Sequence, residues 1–551
     1  MAFTVADYIV KRLAQQQVDT LFGVPAAYCS PLFDAAIDQG MTTVVTASDL
    51  EAGYAADGYA RTKGLGAASV AYGVGTLSMI NAIAGAYVER SPVVVVNGGP
   101  TAANLSNLHQ FDIVFSHSIG QDATDLSAYK LVTANAARAA TVAEVPGVVD
   151  TAIATAIRRK RPVYIEINMG IWGSPCPMPA GPLNVANPPA GTEHQLAVAI
   201  VGLIRAAQKP VLLVGTEIQR YGLADKVADL IAKLGVRWAT AVLSKSALPE
   251  QGAGWLGVYD PPHSLPAVKD AVEHADLLVT LGAVFPNGYA NLVQSAFGRM
   301  VEIYDGKVRI KSGAKQNAEI GALVAALVTE AAKASPKPVP PGVMPAAPGP
   351  ASDPLTYSQV FDRIGAALDQ SLMVIPDTFL GVFSASDLPV NGRDAFLCSA
   401  VWASIGHSTA AALGASFGSP RRPLVICGDG GFHMTAQALS TMAQYRRNPI
   451  VVVIANGIYG YEQFLIDSSF FRDPTAAPKP YVVLNNWDFV SFAQGLGVQF
   501  AQSVDTPAAL DAALAAAKAF AGPALIATRV DAHGLPAELS AAPAAGAQTL
   551  R

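Results

Sequence analysis

Short runs of β-branched and other apolar residues alternate with Ala-rich stretches along almost the whole chain. Two of the clearest runs are Pro92–Val96 and Ile450–Ile454. Because these runs are short and apolar on both faces, they are typical of parallel strands buried between helices. The alternation therefore predicts an α/β protein built from doubly wound parallel sheets.

Two proline-rich stretches interrupt this pattern, from Ser174 to Gly191 and from Ser335 to Pro354. Both are poor in residues that favour helices or strands, as semi-rigid linkers are. We therefore expect three domains, over residues 1–180, 190–335 and 355–551. We expect the segment that starts at Ala541 to be a mobile tail or a flap.

Charge and hydropathy exclude several classes of partner. A formal net charge of −5 leaves no basic surface for nucleic acid or an anionic membrane. No apolar run reaches the roughly 20 residues that a membrane helix needs. The first residues lack the pattern of a secretory signal, so we expect a cytoplasmic protein. The four cysteines lack the spacing of a zinc site or a disulfide framework, and we expect buried thiols.

A glycine-rich turn is the most specific signal in the chain. The run Leu424–Cys427 leads into Gly428–Gly431, where glycines let the backbone approach a pyrophosphate and a following helix N-terminus favours an anion. Asp429 in this turn can hold a hard cation against phosphate oxygens. Asn456 follows after enough chain for one helix and one strand, so both side chains are expected at one sheet edge, where they can share a metal.

These residues resemble the signature of thiamine-diphosphate-dependent enzymes, which begins with Gly-Asp-Gly and ends in Asn. The resemblance implies Mg²⁺ bound by Asp429, Asn456 and the main-chain carbonyl of Ile458. It also implies that Gly428, Gly430 and Gly431 surround the diphosphate of the cofactor. The fold implied is the three-domain type of this family, with the pyrimidine-binding domain first, a middle domain, and the pyrophosphate- and metal-binding domain last.

Residues 400–406 resemble the family segment in which a bulky aliphatic side chain bends the cofactor. The resemblance assigns that role to Ile405, and it assigns to the Ala403 carbonyl a hydrogen bond from the aminopyrimidine ring.

Residues 48–61 form a helix-like stretch that ends in Gly-Tyr-Ala-Arg, a second hallmark of the family. The family has a Glu nine residues before that glycine, where it activates the aminopyrimidine, but here the position is Asp49. Its reach is shorter by one methylene, roughly 1.5 Å. Glu51 is the alternative, yet two residues along a helix rotate a side chain by about 200°. We therefore favour Asp49 as the activating acid.

Residues 71–100 and 243–283 resemble the pyruvate decarboxylase branch of the family, which implies a 2-oxo-acid decarboxylase. That branch has a Glu six residues after the ligating Asn, and Glu462 stands there. It also has a His-His pair and an Asp in the first strand–helix turn. Here His117 remains, whereas Ser116 replaces the first His and Ala27 replaces the Asp.

These losses leave three functions open. The first is decarboxylation of a 2-oxo acid to an aldehyde and CO₂. The second is carboligation, because slower protonation of the enamine leaves it available to a second carbonyl. The third is a cofactor-binding homologue with little catalysis. The resemblance also implies a homodimer or homotetramer with active sites between subunits.

Two positions suggest an enlarged substrate pocket. The branch has large aromatic residues where this chain has Gly288 and Val382. Two missing rings make room for a bulky side chain, so phenylpyruvate or indolepyruvate is the expected substrate. Phe379 and Tyr461 stand nearby and can refill part of that space.

Overall fold

The computed structural model describes residues 2–261, 263–335, 338, 342 and 355–540. Its contacts divide the chain into two compact units. The first contains Met1–Ala186 together with Thr409–Pro420 and Thr435–Arg447. The second contains Asn187–Ser408, Arg421–Met434 and Asn448–Arg551. The predicted tail and most of the second predicted linker lie outside the described residues.

The first unit is built on a parallel sheet with strand order β2-β1-β3-β4-β6-β5. Its strands are β1 (Thr20–Gly23), β2 (Thr42–Val45), β3 (Gly66–Ser69), β4 (Val93–Gly99), β5 (Asn135–Ala139) and β6 (Val163–Asn168). The helices between and around them are α1 (Val5–Gln15), α2 (Ser30–Asp38), α3 (Asp49–Lys63), α4 (Val74–Val88), α5 (Ala102–Phe111), α6 (Thr124–Val132) and α7 (Val145–Arg159).

The second unit begins with a sheet of order β13-β12-β11-β10-β7-β8-β9, parallel except for β12 and β13 at one edge. Its strands are β7 (Pro210–Val214), β8 (Arg237–Ala241), β9 (Trp255–Tyr259), β10 (Leu277–Leu281), β11 (Met300–Tyr304), β12 (Lys307–Ile310) and β13 (Gln316–Asn317). Its helices are α8 (Glu193–Ala206), α9 (Thr216–Arg220), α10 (Ala224–Leu234), α11 (Pro266–Glu273), α12 (Ala290–Ala296) and α13 (Ile320–Ala331).

The third sheet, also in the second unit, is fully parallel with order β14-β15-β16-β18-β17. Its strands are β14 (Leu372–Pro376), β15 (Arg422–Gly428), β16 (Ile450–Ala455), β17 (Phe500–Val504) and β18 (Ala524–Arg529). The helices of this part of the chain are α14 (Tyr357–Ala367), α15 (Val382–Asp387), α16 (His407–Gly418), α17 (Asp429–Thr435), α18 (Ala438–Gln444), α19 (Gly460–Ile466), α20 (Phe489–Gly495), α21 (Pro507–Ala519) and α22 (Ala537–Ser540).

Within the first unit, α3 packs on residues 409–418 of α16 with almost no side chain between them. A Cβ added to Gly414 would lie 1.8 Å from the Ala55 carbonyl oxygen, and one on Gly58 would lie 2.1 Å from that of Ala411. Only glycine permits this approach, because it lacks a Cβ. The contact fixes the position of α3, which begins at Asp49.

The α/β class and its parallel sheets are confirmed, and all four cysteines are buried thiols as expected. One local expectation differs. The chain between β15 and β16 forms two short helices rather than one, because residues 435–447 pack within the first unit while Asp429–Met434 stay with the third sheet. The domain boundaries remain a prediction. In the described part of the chain, no helix is long and apolar enough to cross a membrane.

Candidate active site

Asp429 and Asn456 leave the third sheet at the same edge. Gly428, the last residue of β15, pairs in parallel register with Ile454 of β16. Asp429 therefore begins α17 just beyond one strand, and Asn456 follows the end of the next. Parallel strands present their carboxyl ends together, which is where α/β proteins bind ligands.

The Asp429 carboxylate is buried and held by backbone N–H groups. Oδ1 accepts from the N–H of Gly430 at 3.0 Å, and Oδ2 accepts from that of Gly457 at 2.7 Å. Burial raises the pKa of Asp429 to about 6. A cation beside this carboxylate would favour its charged form.

Hydrogen bonds to both polar atoms of the Asn456 side-chain amide fix its orientation. Its Nδ2 donates to the Tyr357 hydroxyl at 3.2 Å, and its Oδ1 accepts from the Ile458 N–H at 3.2 Å. One carboxylate, one amide oxygen and a main-chain carbonyl form the oxygen set that Mg²⁺ accepts when phosphate oxygens complete it. Among the described residues, no cluster of three or more His, Cys, Asp or Glu side chains could hold a metal instead.

The glycines of the turn leave bare backbone beside this oxygen set. A Cβ on Gly430 would lie 2.4 Å from Tyr459, and one on Gly431 would lie 3.1 Å from Asp377. A Cβ on Gly428 would lie 3.4 Å from Phe379, an ordinary contact. A side chain at Gly430 would therefore clash with Tyr459, and one at Gly431 would crowd Asp377. The bare backbone of this turn is suited to receive a diphosphate.

The segment with Ala403 and Ile405 belongs to the same unit. Ala403 adopts a left-handed conformation with φ of 54° and is exposed, and Ile405 is half-buried. The N–H of Gly406 donates to Asp377. We did not predict a role for Asp377 from the sequence. The signal was present, because an acid directly follows the apolar run of β14, as Asp429 follows that of β15.

Glu462 lies in the first turn of α19, exposed, next to Tyr461. The Tyr461 ring is half-buried, with its centroid 5.8 Å from that of Phe383. Burial raises the pKa of the Tyr461 hydroxyl, and Asp260 and Glu462 add to the shift. Phe379 is buried. Glu462 is thus an exposed carboxylate, next in sequence to a tyrosine whose ring packs on Phe383.

The two predicted pocket positions differ in their surroundings. Val382 is half-buried at the start of α15 and packs on the hydrophobic core. Gly288 is exposed, and the next residue, Tyr289, is buried with its hydroxyl donating to the Tyr259 carbonyl at 2.6 Å. An aromatic ring is therefore present one residue beyond Gly288.

In the first unit, Asp49 is the first residue of α3 and is half-buried. Its Oδ1 lies 2.8 Å from the point that a Cβ on Gly75 would occupy. Burial raises the pKa of Asp49, and its own backbone N–H partly offsets this. The carboxylate therefore stands beside the start of α4, where glycine leaves room for it.

Unlike Asp49, Glu51 has its side chain in the interior of the first unit. It is fully buried, and its Oε2 accepts from the Ala47 N–H at 3.2 Å. Its Oε1 is buried without a hydrogen-bond partner in the described part of the chain. Burial raises the pKa of Glu51 to about 7. Glu51 is therefore enclosed in the protein interior.

His117 is exposed and has a positive φ of 68°. Its ring centroid lies 5.6 Å from that of Tyr28, and the Tyr28 hydroxyl donates to the Ser116 carbonyl at 2.8 Å. Ala27, in the place of the family Asp, is exposed. The loop thus keeps one imidazole against an aromatic ring, with no acid at position 27.

Comparison with known proteins identifies three domains. Residues 3–121 match the N-terminal TPP binding domain of thiamine pyrophosphate enzymes, residues 198–328 the central domain, and residues 381–528 the C-terminal TPP binding domain. These ranges include Asp49, Asp429 and Asn456.

Curated relatives match along nearly the whole chain. The alpha-keto-acid decarboxylase of Mycobacterium tuberculosis (strain CDC 1551 / Oshkosh) is 32% identical over 94% of this chain and 92% of that protein. That of Mycobacterium avium (strain 104) is 31% identical over the same shares. Pyruvate decarboxylase isozyme 1 of Saccharomyces cerevisiae is 28% identical over 90% of this chain and 89% of that protein.

We expect Glu51→Gln to stabilise the protein above neutral pH. The pKa of Glu51 is about 7 in the folded state and 4.5 ordinarily. The folded state therefore binds the proton more tightly, and stability is complete below about pH 4.5 and lost as pH rises to about 7. Gln cannot ionise, so at pH 8 it should recover up to about 3 kcal/mol. Denaturant unfolding of the apo-protein at pH 5 and pH 8 measures this gain.

Asp34→Asn, which changes an exposed carboxylate of the same unit, is the control and should leave stability nearly unchanged at both values. Equal stability of Glu51→Gln and wild type at pH 8 would mean that burial does not raise the pKa of Glu51 in the folded protein.

Proposed function

We propose that this chain, which belongs to the thiamine pyrophosphate enzyme family, decarboxylates a bulky, preferably aromatic 2-oxo acid to an aldehyde and CO₂. It is a carboxy-lyase that uses thiamine diphosphate on a 2-oxo acid.

The cofactor assignment rests on the carboxyl edge of the third sheet, where β15 and β16 end side by side. Asp429 there accepts the Gly457 N–H directly after Asn456, so the glycine turn and the following loop are joined by one hydrogen bond. We assign Mg²⁺ to Asp429, Asn456 and the Ile458 carbonyl, and the diphosphate to the turn of Gly428, Gly430 and Gly431. The chemistry that thiamine diphosphate supplies is an electron sink for the pair released when the bond to CO₂ breaks.

Three carboxyl or imidazole groups are assigned to proton chemistry. Asp49 is the acid that meets the aminopyrimidine ring, because its carboxylate is only half-buried whereas that of Glu51 is enclosed. Glu462 faces the substrate carboxylate from the first turn of α19. His117 holds and moves a proton at the product carbon, since its two ring nitrogens can donate and accept. Ala403 and Ile405 receive the ring portion of the cofactor.

We propose that the working assembly is a homodimer or a homotetramer. Asp49 belongs to one compact unit and Asp429 to the other. In our proposal, each cofactor site combines the Asp49 half of one chain with the Asp429 half of another, as closed two-fold symmetry permits.

The substrate assignment rests on Val382. Val382 is half-buried and directly precedes Phe383, whose ring packs on that of Tyr461. In our proposal, a valine in place of a large aromatic residue leaves space for an aryl group that those rings can contact. Gly288 contributes less, because Tyr289 brings a ring back nearby. Phe379 completes the aromatic set that we assign to the pocket.

Carboligation is the second candidate, and the loop around Ala27 favours it. With no acid at position 27 and Ser116 in place of a histidine, fewer groups can protonate the product carbon. A second carbonyl compound then competes with the proton. The same protein can therefore release hydroxyketones when an aldehyde is supplied.

Asp429→Ala and Glu462→Gln should produce separate defects. The first removes the only charged ligand we assign to the metal, so Mg²⁺–thiamine diphosphate affinity should fall by about a hundredfold or more. The second should leave affinity unchanged and lower turnover by on the order of a hundredfold. Calorimetric titration and steady-state rates measure the two effects.

Asp488→Ala, an exposed Asp that caps α20 in the same unit, serves as control for both measurements. Normal cofactor affinity in Asp429→Ala would refute the metal assignment, and normal turnover in Glu462→Gln would refute the catalytic one.

Mixed assemblies test the shared site. Asp49→Ala and Asp429→Ala chains should each be nearly inactive, yet after co-refolding a heterodimer has one site with both residues intact. Random pairing then restores about a quarter of wild-type activity. The matched control mixes Asp429→Ala with Glu462→Gln, which lie in the same half and should restore none. Recovery in neither mixture would contradict a site built from two chains.

A panel of 2-oxo acids tests the pocket. We expect wild type to prefer phenylpyruvate to pyruvate in kcat/KM, and Val382→Trp to reverse that order by filling the space for the aryl group. Val198→Trp, on the exposed face of α8, is the control and should keep the wild-type order. Mass analysis of products, with and without an acceptor aldehyde, separates aldehyde from hydroxyketone.

Pyruvate consumed faster than phenylpyruvate by the wild type would overturn the substrate proposal. Turnover of no acid would favour a homologue that binds its cofactor without catalysing this reaction.

A further inference from the structure

Asp377 directly follows β14 and is buried at 2% exposure. Its N–H donates to the Ile426 carbonyl at 2.8 Å, which keeps its backbone attached to β15. The residue therefore stands at the same sheet edge as Asp429, two strands from Asn456. None of the roles assigned above uses it.

The carboxylate of Asp377 accepts hydrogen bonds from two segments of the chain. It accepts from the Thr378 N–H at 2.7 Å, from the Gly406 N–H at 3.0 Å to both oxygens, and from the Ser408 hydroxyl at 2.8 Å. A Cβ on Gly431 would lie 3.1 Å from its Oδ2. One buried side chain thus touches the end of β14, the segment at 406–408 and the glycine turn.

Residues 403–406 have a backbone conformation that must be held by contacts with the rest of the protein. Ala403 has φ of 54° and Gly406 has φ of 85°. A left-handed conformation is strained for a residue with a Cβ, and it persists only where surrounding contacts enforce it. Hydrogen bonds from Gly406 and Ser408 to one buried side chain supply contacts of that kind.

We propose that Asp377 is a positioning residue, which holds residues 403–408 beside the glycine turn in the conformation that receives the ring portion of the cofactor. This inference rests on the cofactor assignment of the proposed function. Asp377 acts through Gly406 and Ser408 and is not assigned any contact with cofactor or substrate.

A carboxylate suits this position, because it accepts two backbone N–H groups and one hydroxyl. An asparagine would keep one acceptor oxygen for the two N–H groups, and its NH₂ group would face the Ser408 hydroxyl, which would have to reverse and accept. Sharing one oxygen between two buried N–H groups weakens the hydrogen bond from Gly406. Asp377→Asn therefore weakens the attachment of the segment while it changes side-chain size very little.

The test compares two ligands of the full-length protein in the presence of Mg²⁺. Pyrophosphate reports on the glycine turn alone, whereas thiamine diphosphate also needs the ring-binding segment. For Asp377→Asn we expect thiamine diphosphate affinity to fall by about tenfold or more and pyrophosphate affinity by less than about threefold. Exchange of the thiazolium C2 proton in cofactor-saturated protein, followed by NMR, should slow as well.

Asp369→Asn is the matched control, since Asp369 accepts from the N–H and the hydroxyl of Ser371 at the surface of the same unit. It should leave both affinities and the exchange rate unchanged. Ser408→Ala removes one donor to Asp377 and should give a smaller loss in the same direction. This milder variant keeps the test decisive if Asp377→Asn does not fold.

Equal losses for the two ligands, with normal proton exchange at saturation, would reduce Asp377 to a core residue and overturn the inference. Unchanged thiamine diphosphate affinity in both variants would also overturn it. If wild type binds pyrophosphate but not thiamine diphosphate, the cofactor assignment fails instead, so the two failures are distinguishable.

Discussion

The carboxyl edge of three adjacent parallel strands is the constraint on which the rest of the candidate site depends. Pro376 pairs with Ile426 across β14 and β15, and Gly428 pairs with Ile454 across β15 and β16. Since the strands run in one direction, the polar residues that follow them emerge side by side. Asp377, Asp429 and Asn456 are neighbours for this reason.

Three buried carboxylates, those of Asp377, Asp429 and Glu51, differ in how many hydrogen bonds they accept. Asp377 accepts from three groups and suits a structural task. Asp429 accepts two backbone N–H groups and can still serve a cation. Glu51 has one oxygen bonded and the other buried without a partner in the described chain. Burial raises the pKa of all three carboxyls, to about 6 at Asp429 and to about 7 at Glu51.

Three departures from the resembled pattern, at positions 27, 49 and 116, lie in the first unit, and their surroundings differ. The shorter Asp49 stands beside Gly75, so close that a methyl group there would crowd the carboxylate. His117 retains an aromatic neighbour in Tyr28, whose hydroxyl ties down the Ser116 carbonyl. Ala27 is exposed, and nothing in the structure explains its replacement of the acid. Under the proposed function, proton delivery from these residues therefore depends on fewer groups than in the resembled pattern.

The α/β class, the helical stretch over residues 48–61 and the strand–turn–helix at Asp429 could all be predicted from the sequence. Each depends on residues adjacent in the chain, through apolar periodicity, helix capping and glycine at tight turns. Tertiary structure alone decided that Glu51 is enclosed, that Tyr289 rather than Gly288 is buried, and that Asp377 binds the Gly406 N–H from 29 positions away. Burial and long-range hydrogen bonds depend on which segments the fold brings together, and no local pattern contains that information.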